Sequence, residues 1–143
     1  MRAIQVFEVS LKAFILRGDR ALFVQEADSG YWELPGGRID VGEEWQPHAS
    51  VLAREMREEL GEGFSVRFRE EVVTWTRQRP SDRAFLFLVA RLGHAVSGEP
   101  TLSDEHTQLA WLDRDAAARL TYPPASGYRD AIAALWQLGH AAG

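Results

Sequence analysis

The chain has 143 residues, of which 45% are hydrophobic and 26% charged, and its formal net charge is −5. This is enough apolar material for one domain with a buried core, and we predict a single domain over residues 1–143. The acidic balance argues against a protein that binds a nucleic-acid polymer through many phosphate contacts. The absence of cysteine excludes disulfides, thiolate metal sites and cysteine nucleophiles. No apolar stretch approaches the ~20 residues that a membrane-spanning helix needs, so we expect a soluble, cytoplasmic protein that does not use a membrane.

The first part of the chain predicts a hairpin followed by a helix. Apolar residues alternate with polar ones from Phe7 to Ile15, which is typical of a strand. A turn over residues 17–20 and a second short strand over 21–24 complete the hairpin. Residues 32–37 are too interrupted by Pro and Gly to form a long strand, and residues 49–60 predict a helix.

The second part of the chain predicts more strands and two further helices. The continuous apolar run over residues 84–90 indicates a strand buried on both faces. The other predicted elements, in chain order, are a strand in 64–75, a loop over 93–106, a strand over 109–112, and helices over 113–120 and 128–138. Strands on either side of the first helix favour an α/β (α+β) fold with a mixed sheet covered by helices on both sides.

The helix over residues 49–60 has its carboxylates on one side. At about 100° per residue, the apolar residues occupy one arc and the acids occupy the neighbouring arc. The apolar set is Ala49, Leu52, Ala53, Met56 and Leu60, and the acidic set is Glu55, Glu58, Glu59 and Glu62. A helix rich in Glu and Arg is by itself typical of a solvated face with ion pairs. Carboxylate oxygens also suit hard cations such as Mg²⁺ and Mn²⁺, so the upstream sequence decides between the two interpretations.

Upstream of this helix, the sequence has two adjacent glycines, Gly36 and Gly37, and then Glu43. Glycine lets the backbone approach a ligand closely, and a backbone carbonyl there can serve as an oxygen ligand. In combination with the acidic helix, these residues favour a metal site.

Together these residues resemble the signature of the Nudix family. That signature runs Gly, five residues, Glu, seven residues, Arg-Glu, an aliphatic residue, any residue, Glu-Glu, any residue, Gly and an aliphatic residue. Gly37 and Glu43 have this spacing, and the run from Arg54 to Gly61 matches the rest. The chain departs from the pattern twice, because ten residues separate Glu43 from Arg54 and because Glu62 follows the last glycine. The resemblance implies an α/β/α sandwich with a mixed central sheet, in which the extra residues lengthen the loop or add about one helical turn.

The resemblance also implies roles for these residues. Glu55, Glu58 and Glu59 would bind Mg²⁺ or Mn²⁺ together with the carbonyl of Gly36. Arg54 would orient the acids, and Glu43 and Gly37 would form an outer shell around the metal. A metal-bound water would attack phosphorus, and a carboxylate, with Glu55 as the first candidate, would accept the proton.

Further candidates lie outside the motif. Glu105 precedes the last predicted strand and is a candidate for an additional ligand or base, while His106 and His48 are weaker candidates. Arg38 is a candidate for a phosphate contact. Tyr31 and Trp45 are candidates for stacking on a nucleobase.

The function that the resemblance implies is metal-dependent hydrolysis of a diphosphate linkage. The substrate would be a nucleoside diphosphate linked to another moiety, as in a nucleoside triphosphate, a nucleotide sugar, ADP-ribose or a dinucleoside polyphosphate. The alternatives are a catalytically silent nucleotide-binding regulatory module of the same family and a structural or partner-binding domain with an acidic helix. A homodimer is compatible with the resemblance.

Overall fold

Seven strands and three helices form the part of the chain that the structure, a computed structural model, describes, which is residues 2–141. The elements are β1 (Phe7–Arg17), β2 (Arg20–Glu26), β3 (Trp32–Glu33), β4 (Gly36–Arg38), α1 (His48–Leu60), β5 (Ser65–Gln78), β6 (Phe85–Ser97), β7 (His106–Leu112), α2 (Arg114–Ala118) and α3 (Tyr128–Ala141). None of the described helices is long and apolar enough to cross a membrane.

The strands form one mixed sheet in the order β3-β2-β1-β6-β5, with β4 paired to β1 and β7 paired to β2. The pair β1–β6 is parallel and the other pairs are antiparallel. β1 and β2 pair only at their hairpin end, at Leu16–Ala21 and Arg17–Arg20. The edge of β1 that faces β2 is therefore not paired with β2 at Ser10–Lys12, and β4 pairs with β1 there. The short strand β4 is thereby held against the middle of the sheet.

Each face of the sheet packs against a helix. The odd positions of β1 from Leu11 to Ile15 pack in one cluster with residues 51–60 of α1. The even positions Phe14 and Leu16 pack in a second cluster with residues 128–136 at the start of α3. The hairpin, the mixed sheet and the α/β/α sandwich that the sequence predicts are therefore confirmed.

The structure corrects two predictions about β6. The apolar run forms a strand, but it is not buried on both faces, because Phe87 is 37% exposed. α1 packs mainly on β1 and β4, so the start of β6 on that face stays partly open. The strand also continues to Ser97, where the sequence predicted a loop from Gly93, because β5 pairs with β6 as far as Ser65–Ser97.

The buried arc of α1 differs from the predicted one. Ala49 is exposed, whereas Val51, outside the predicted arc, is fully buried. Glu55 and Glu59 lie inside the buried arc rather than beside it, while Glu58 is exposed. The first three residues of the helix, 48–50, are exposed, so packing against the sheet begins only at Val51. Two of the helical acids therefore face the protein interior.

Candidate active site

Glu59 is the most enclosed of the helical acids, with 4% of its surface exposed. Its Oε2 accepts a hydrogen bond of 3.1 Å from the backbone N–H of Gly36. Its Oε1 is buried without a hydrogen bond, and Nδ1 of His106 lies 3.5 Å away. Burial raises the pKa of Glu59 to about 8. A buried carboxylate with an unsatisfied oxygen is costly, and a proton or a bound cation would relieve that cost.

The two glycines of β4 allow two different close approaches. Gly36 has a φ of +151° and lies so close to β1 that a Cβ would overlap the backbone carbonyl of Leu11. Gly37 lies against α1, where a Cβ would overlap the carboxylate of Glu55. Glu55 is 9% exposed, and burial raises its pKa. The missing side chains thus let β4 fit between β1 and the acids of α1.

Arg54 connects three of the acids through hydrogen bonds. It donates from Nε and Nη2 to the two carboxylate oxygens of Glu43, each at 2.6 Å. It also donates to Glu55 Oε1 and to Glu58 Oε2, both at 2.9 Å. The hydrogen bonds from Arg54 hold the pKa of Glu43 below its usual range. One guanidinium therefore holds three carboxylates in a fixed arrangement.

The extra residues between Glu43 and Arg54 do not separate these two side chains. α1 begins at His48, directly after Pro47, and Glu43 precedes it in a loop. A turn fixes that loop, since Glu43 N–H donates to the Asp40 carbonyl and Asp40 N–H donates to Glu43 Oε1, both at 3.0 Å. The additional length is accommodated in the exposed segment between Glu43 and the helix.

The carboxylates of α1 offer oxygen donors for a divalent cation. Between residues 2 and 141, no three acidic or histidine side chains converge closely enough to hold one ion. Glu55 and Glu58 both contact Arg54, whereas Glu59 contacts Gly36. All the carboxylate donors are nevertheless oxygens on one helix, and one of them is buried without a partner. This chemistry fits a hard cation such as Mg²⁺ or Mn²⁺.

Glu105, the candidate for an additional ligand or base, directly precedes β7. Its side chain is exposed, and its backbone carbonyl accepts a hydrogen bond of 3.1 Å from Ala27 N–H. The neighbouring His106, which was the weaker candidate for a ligand or base, is the residue that contacts Glu59. A register shift between β2 and β7 produces this arrangement, and the sequence carries no signal for it.

The predicted substrate contacts fall in two places. Arg38 is exposed, pairs with Glu8 at 2.8 Å and borders a cleft of about 520 Å³. Phe7, Val9, Ile39, Asp40, Val41 and Glu44 line the same cleft. Trp45 directly follows this lining and is 90% exposed. Tyr31 is half-buried, is not part of the cleft, and accepts a backbone hydrogen bond from Glu26 N–H.

A buried ion pair beside the site was not anticipated from the sequence. Lys12 Nζ donates to Glu33 Oε1 at 2.7 Å, and both side chains are 8% exposed. Burial opposes the charge on Lys12, but the Glu33 carboxylate outweighs it and holds the pKa of Lys12 above its usual range. Lys12 pairs with Gly36 in the sheet, and its charge also acts on Glu59. In the alternating pattern of β1, Lys12 looks like an ordinary solvent-facing residue.

Comparisons with known proteins show the family to which the chain belongs. A family described as "NUDIX domain" matches residues 7–135. A MutT-like protein of Streptomyces ambofaciens is 35% identical over 108 residues, covering 75% of this chain and 64% of the relative. The human protein named 8-oxo-dGDP phosphatase NUDT18 is 32% identical over 110 residues, covering 74% of this chain and 32% of the relative. The chain thus spans less than two thirds of the length of either relative.

A solved structure resembles almost the whole fold. The MutT NUDIX hydrolase from Burkholderia pseudomallei is 27% identical, with a TM-score of 0.64, over 94% of this chain and 99% of that one. The family match covers the sheet, α1 with its acids, and most of α3. The resemblance seen in the sequence is confirmed, and the chain belongs to the NUDIX family.

Proposed function

We propose that this chain hydrolyses a diphosphate linkage in a nucleoside diphosphate joined to another moiety, with Mg²⁺ or Mn²⁺ as cofactor. The observation that carries the proposal is the buried Glu59 carboxylate, of which one oxygen accepts from Gly36 N–H and the other has no hydrogen bond. The names of the two relatives, MutT-like protein and 8-oxo-dGDP phosphatase, support a nucleotide derivative as the substrate class.

The metal would be held by Glu55, Glu58, Glu59 and the carbonyl of Gly36. A bound divalent cation supplies neutralisation of phosphate charge and a water that ionises near neutral pH. Glu55 is our first candidate for the proton acceptor, because burial raises its pKa towards the range in which a general base is effective. Arg54 keeps that carboxylate oriented through its hydrogen bond to Oε1.

The remainder of the substrate would bind in the cleft beside Arg38. Phe7 is 37% exposed there, and Val9, Ile39 and Val41 extend the apolar lining. An apolar surface with a few polar groups is typical of a small-molecule site. Arg38 would contact phosphate, and the exposed indole of Trp45 would stack on a base. Glu105 and Tyr31 do not line this cleft, and we keep them as candidates for contacts elsewhere on the substrate.

The main alternative is a silent module that binds a nucleotide without cutting it. All three helical acids of the family motif are present and two are buried, which favours the enzyme because burial of charge is costly without a function or a partner. The two functions differ in whether a nucleotide is consumed or only bound.

A substrate panel with Mg²⁺ and with Mn²⁺ tests the proposal. It contains nucleoside triphosphates, nucleotide sugars, ADP-ribose and dinucleoside polyphosphates, and it is scored by released nucleotide and phosphate. We expect Glu55→Gln and Glu59→Gln each to lower kcat on the best substrate by about 100-fold or more. Glu62→Gln, an exposed acid just beyond α1, should stay within about twofold.

Two outcomes would contradict the proposal. Wild-type protein that binds a nucleotide of the panel but releases no product with either metal would favour the silent module. Retention of wild-type rates by both variants would reject the site. Light scattering on the same preparation tests whether the chain forms a homodimer.

A further inference from the structure

His106 reaches the acids of α1 because of an irregularity in the sheet. Leu109 and Trp111 of β7 pack on the α1 side, and Leu112 packs on the α3 side. Strict alternation along β7 would put His106 on the same side as Leu112, away from α1. Gln25 and Glu26 of β2, however, pair with Gln108 and His106, so Thr107 is an extra residue. Such a bulge redirects a side chain, and here the imidazole contacts Glu59.

The backbone around His106 is held on both sides. His106 N–H donates to the Ser103 carbonyl at 3.3 Å, and Ala27 N–H donates to the Glu105 carbonyl at 3.1 Å. The side chain of His106 is 6% exposed, so the imidazole has little freedom to turn towards water. The bulge and these hydrogen bonds make His106 a fixed neighbour of the acid.

The oxygen that His106 approaches is the one without a hydrogen bond. Glu59 Oε1 lies 3.5 Å from Nδ1, slightly longer than a good hydrogen bond, while Oε2 is already bonded to Gly36 N–H. A carboxylate offers about four lone-pair positions. Donation from Gly36 and from His106 would use one on each oxygen and would leave the others for a cation.

We propose that His106 is a positioning residue for Glu59. The Nδ1–H of His106 donates to Oε1 of Glu59 and orients that carboxylate towards the metal. This inference rests on the proposed function, since it concerns the same site. Partners that hydrogen-bond a metal ligand fix its orientation, and their loss typically lowers metal affinity or activity about 10- to 100-fold. His106 does not touch the substrate or the metal in this role, so its effect is transmitted through Glu59.

Three substitutions separate the donor from the bulk of the side chain. Asparagine carries an amide N–H near the place of Nδ1, glutamine carries one near the place of Nε2, and alanine carries none. We expect His106→Asn to bind Mn²⁺ within about threefold of wild type, and His106→Gln and His106→Ala to bind it about 10-fold or more weakly. His94→Asn, a histidine of β6 away from α1, serves as the control.

The measurement is Mn²⁺ binding to the substrate-free protein, by electron paramagnetic resonance of the free ion, with Tm recorded for every variant. Equal loss of affinity in His106→Asn and His106→Ala would overturn the inference, as would unchanged affinity in His106→Ala. If His106→Ala does not fold, the comparison of His106→Asn with His106→Gln decides in the same way.

The same titration distinguishes this inference from the proposed function. Wild-type protein that binds Mn²⁺, and loses it in Glu59→Gln but not in His106→Ala, keeps the metal site and rejects the role of His106. Wild-type protein without saturable Mn²⁺ binding rejects both.

Discussion

In the metal-free protein, the wild-type chain should become less stable as the pH rises because of Glu59. The variant Glu59→Gln should lack this contribution. The folded protein raises the pKa of Glu59 from 4.5 to about 8 because the carboxyl group is buried. Between these two values, the folded state keeps a proton that the unfolded state has released. The free energy of unfolding of the wild type therefore falls with rising pH in this window, while glutamine, which does not titrate, contributes no slope.

The size of the effect follows from the shift. One pKa unit corresponds to about 1.4 kcal/mol, so the window from 4.5 to about 8 corresponds to at most about 5 kcal/mol. Glu55 and Glu26 have raised pKa values and add slopes of the same sign, whereas Glu43 adds one of the opposite sign. The difference between Glu59→Gln and wild type therefore reports Glu59 together with its electrostatic coupling to Lys12, Glu33 and Glu55.

The assay is urea unfolding in the presence of a chelator, repeated across the pH window. Glu58→Gln is the matched control, because it removes the acid of α1 that is next to Glu59 and whose side chain is 62% exposed. Saturating Mn²⁺ at about 100 times its Kd should stabilise the wild type by about 2.7 kcal/mol and Glu59→Gln much less. Parallel stability profiles of wild type and Glu59→Gln would show that burial of this carboxylate does not shift its titration.

Three further results are expected. Lys12→Met should lower the free energy of unfolding by about 3–5 kcal/mol because it leaves Glu33 buried without its partner, and the double variant Lys12→Met/Glu33→Met should lose clearly less in the same urea unfolding. Gly37→Ala should weaken Mn²⁺ binding about 10-fold, because a Cβ there displaces the carboxylate of Glu55. The control Gly63→Ala, where a Cβ meets open space, should bind Mn²⁺ as the wild type does. Equal Mn²⁺ affinities of the two variants would refute the close approach of Gly37 to Glu55. Trp45→Ala should raise KM about fivefold or more with stability within about 0.5 kcal/mol, and an unchanged KM would remove Trp45 from the substrate site.

The order of elements could be predicted from the sequence because it depends on local periodicity. Alternation over residues 7–15 and helical spacing over residues 49–60 identified β1 and α1 to within a few residues. The length of β6 could not be predicted in this way, since its last residues are strand only through pairing with β5. The exposure of Phe87 likewise depends on where α1 ends over the sheet, which is a long-range property.

The candidate site shows the same difference between local features and long-range features. The acids of α1 and the two glycines stand close in the sequence, so their spacing was sufficient to identify them. Lys12 and Glu33 are 21 residues apart and meet only because β1 and β2 diverge around β3 and β4. His106 depends on a bulge whose extra residue, Thr107, has no distinguishing sequence feature. Pairing between distant strands decides these contacts, and a single sequence does not encode that pairing locally.

The hydrogen bonds between Arg54 and Glu43 allow the loop between Glu43 and α1 to vary. Because two parallel hydrogen bonds fix Glu43 to the helix, the position of this acid does not depend on the number of residues in between. We expect the segment from Glu44 to Pro47 to accept exchange, because a side chain anchors it at one end and the start of α1 anchors it at the other. Segments of different length or composition could be grafted there to alter what the cleft accepts, while the acids beneath it keep their arrangement.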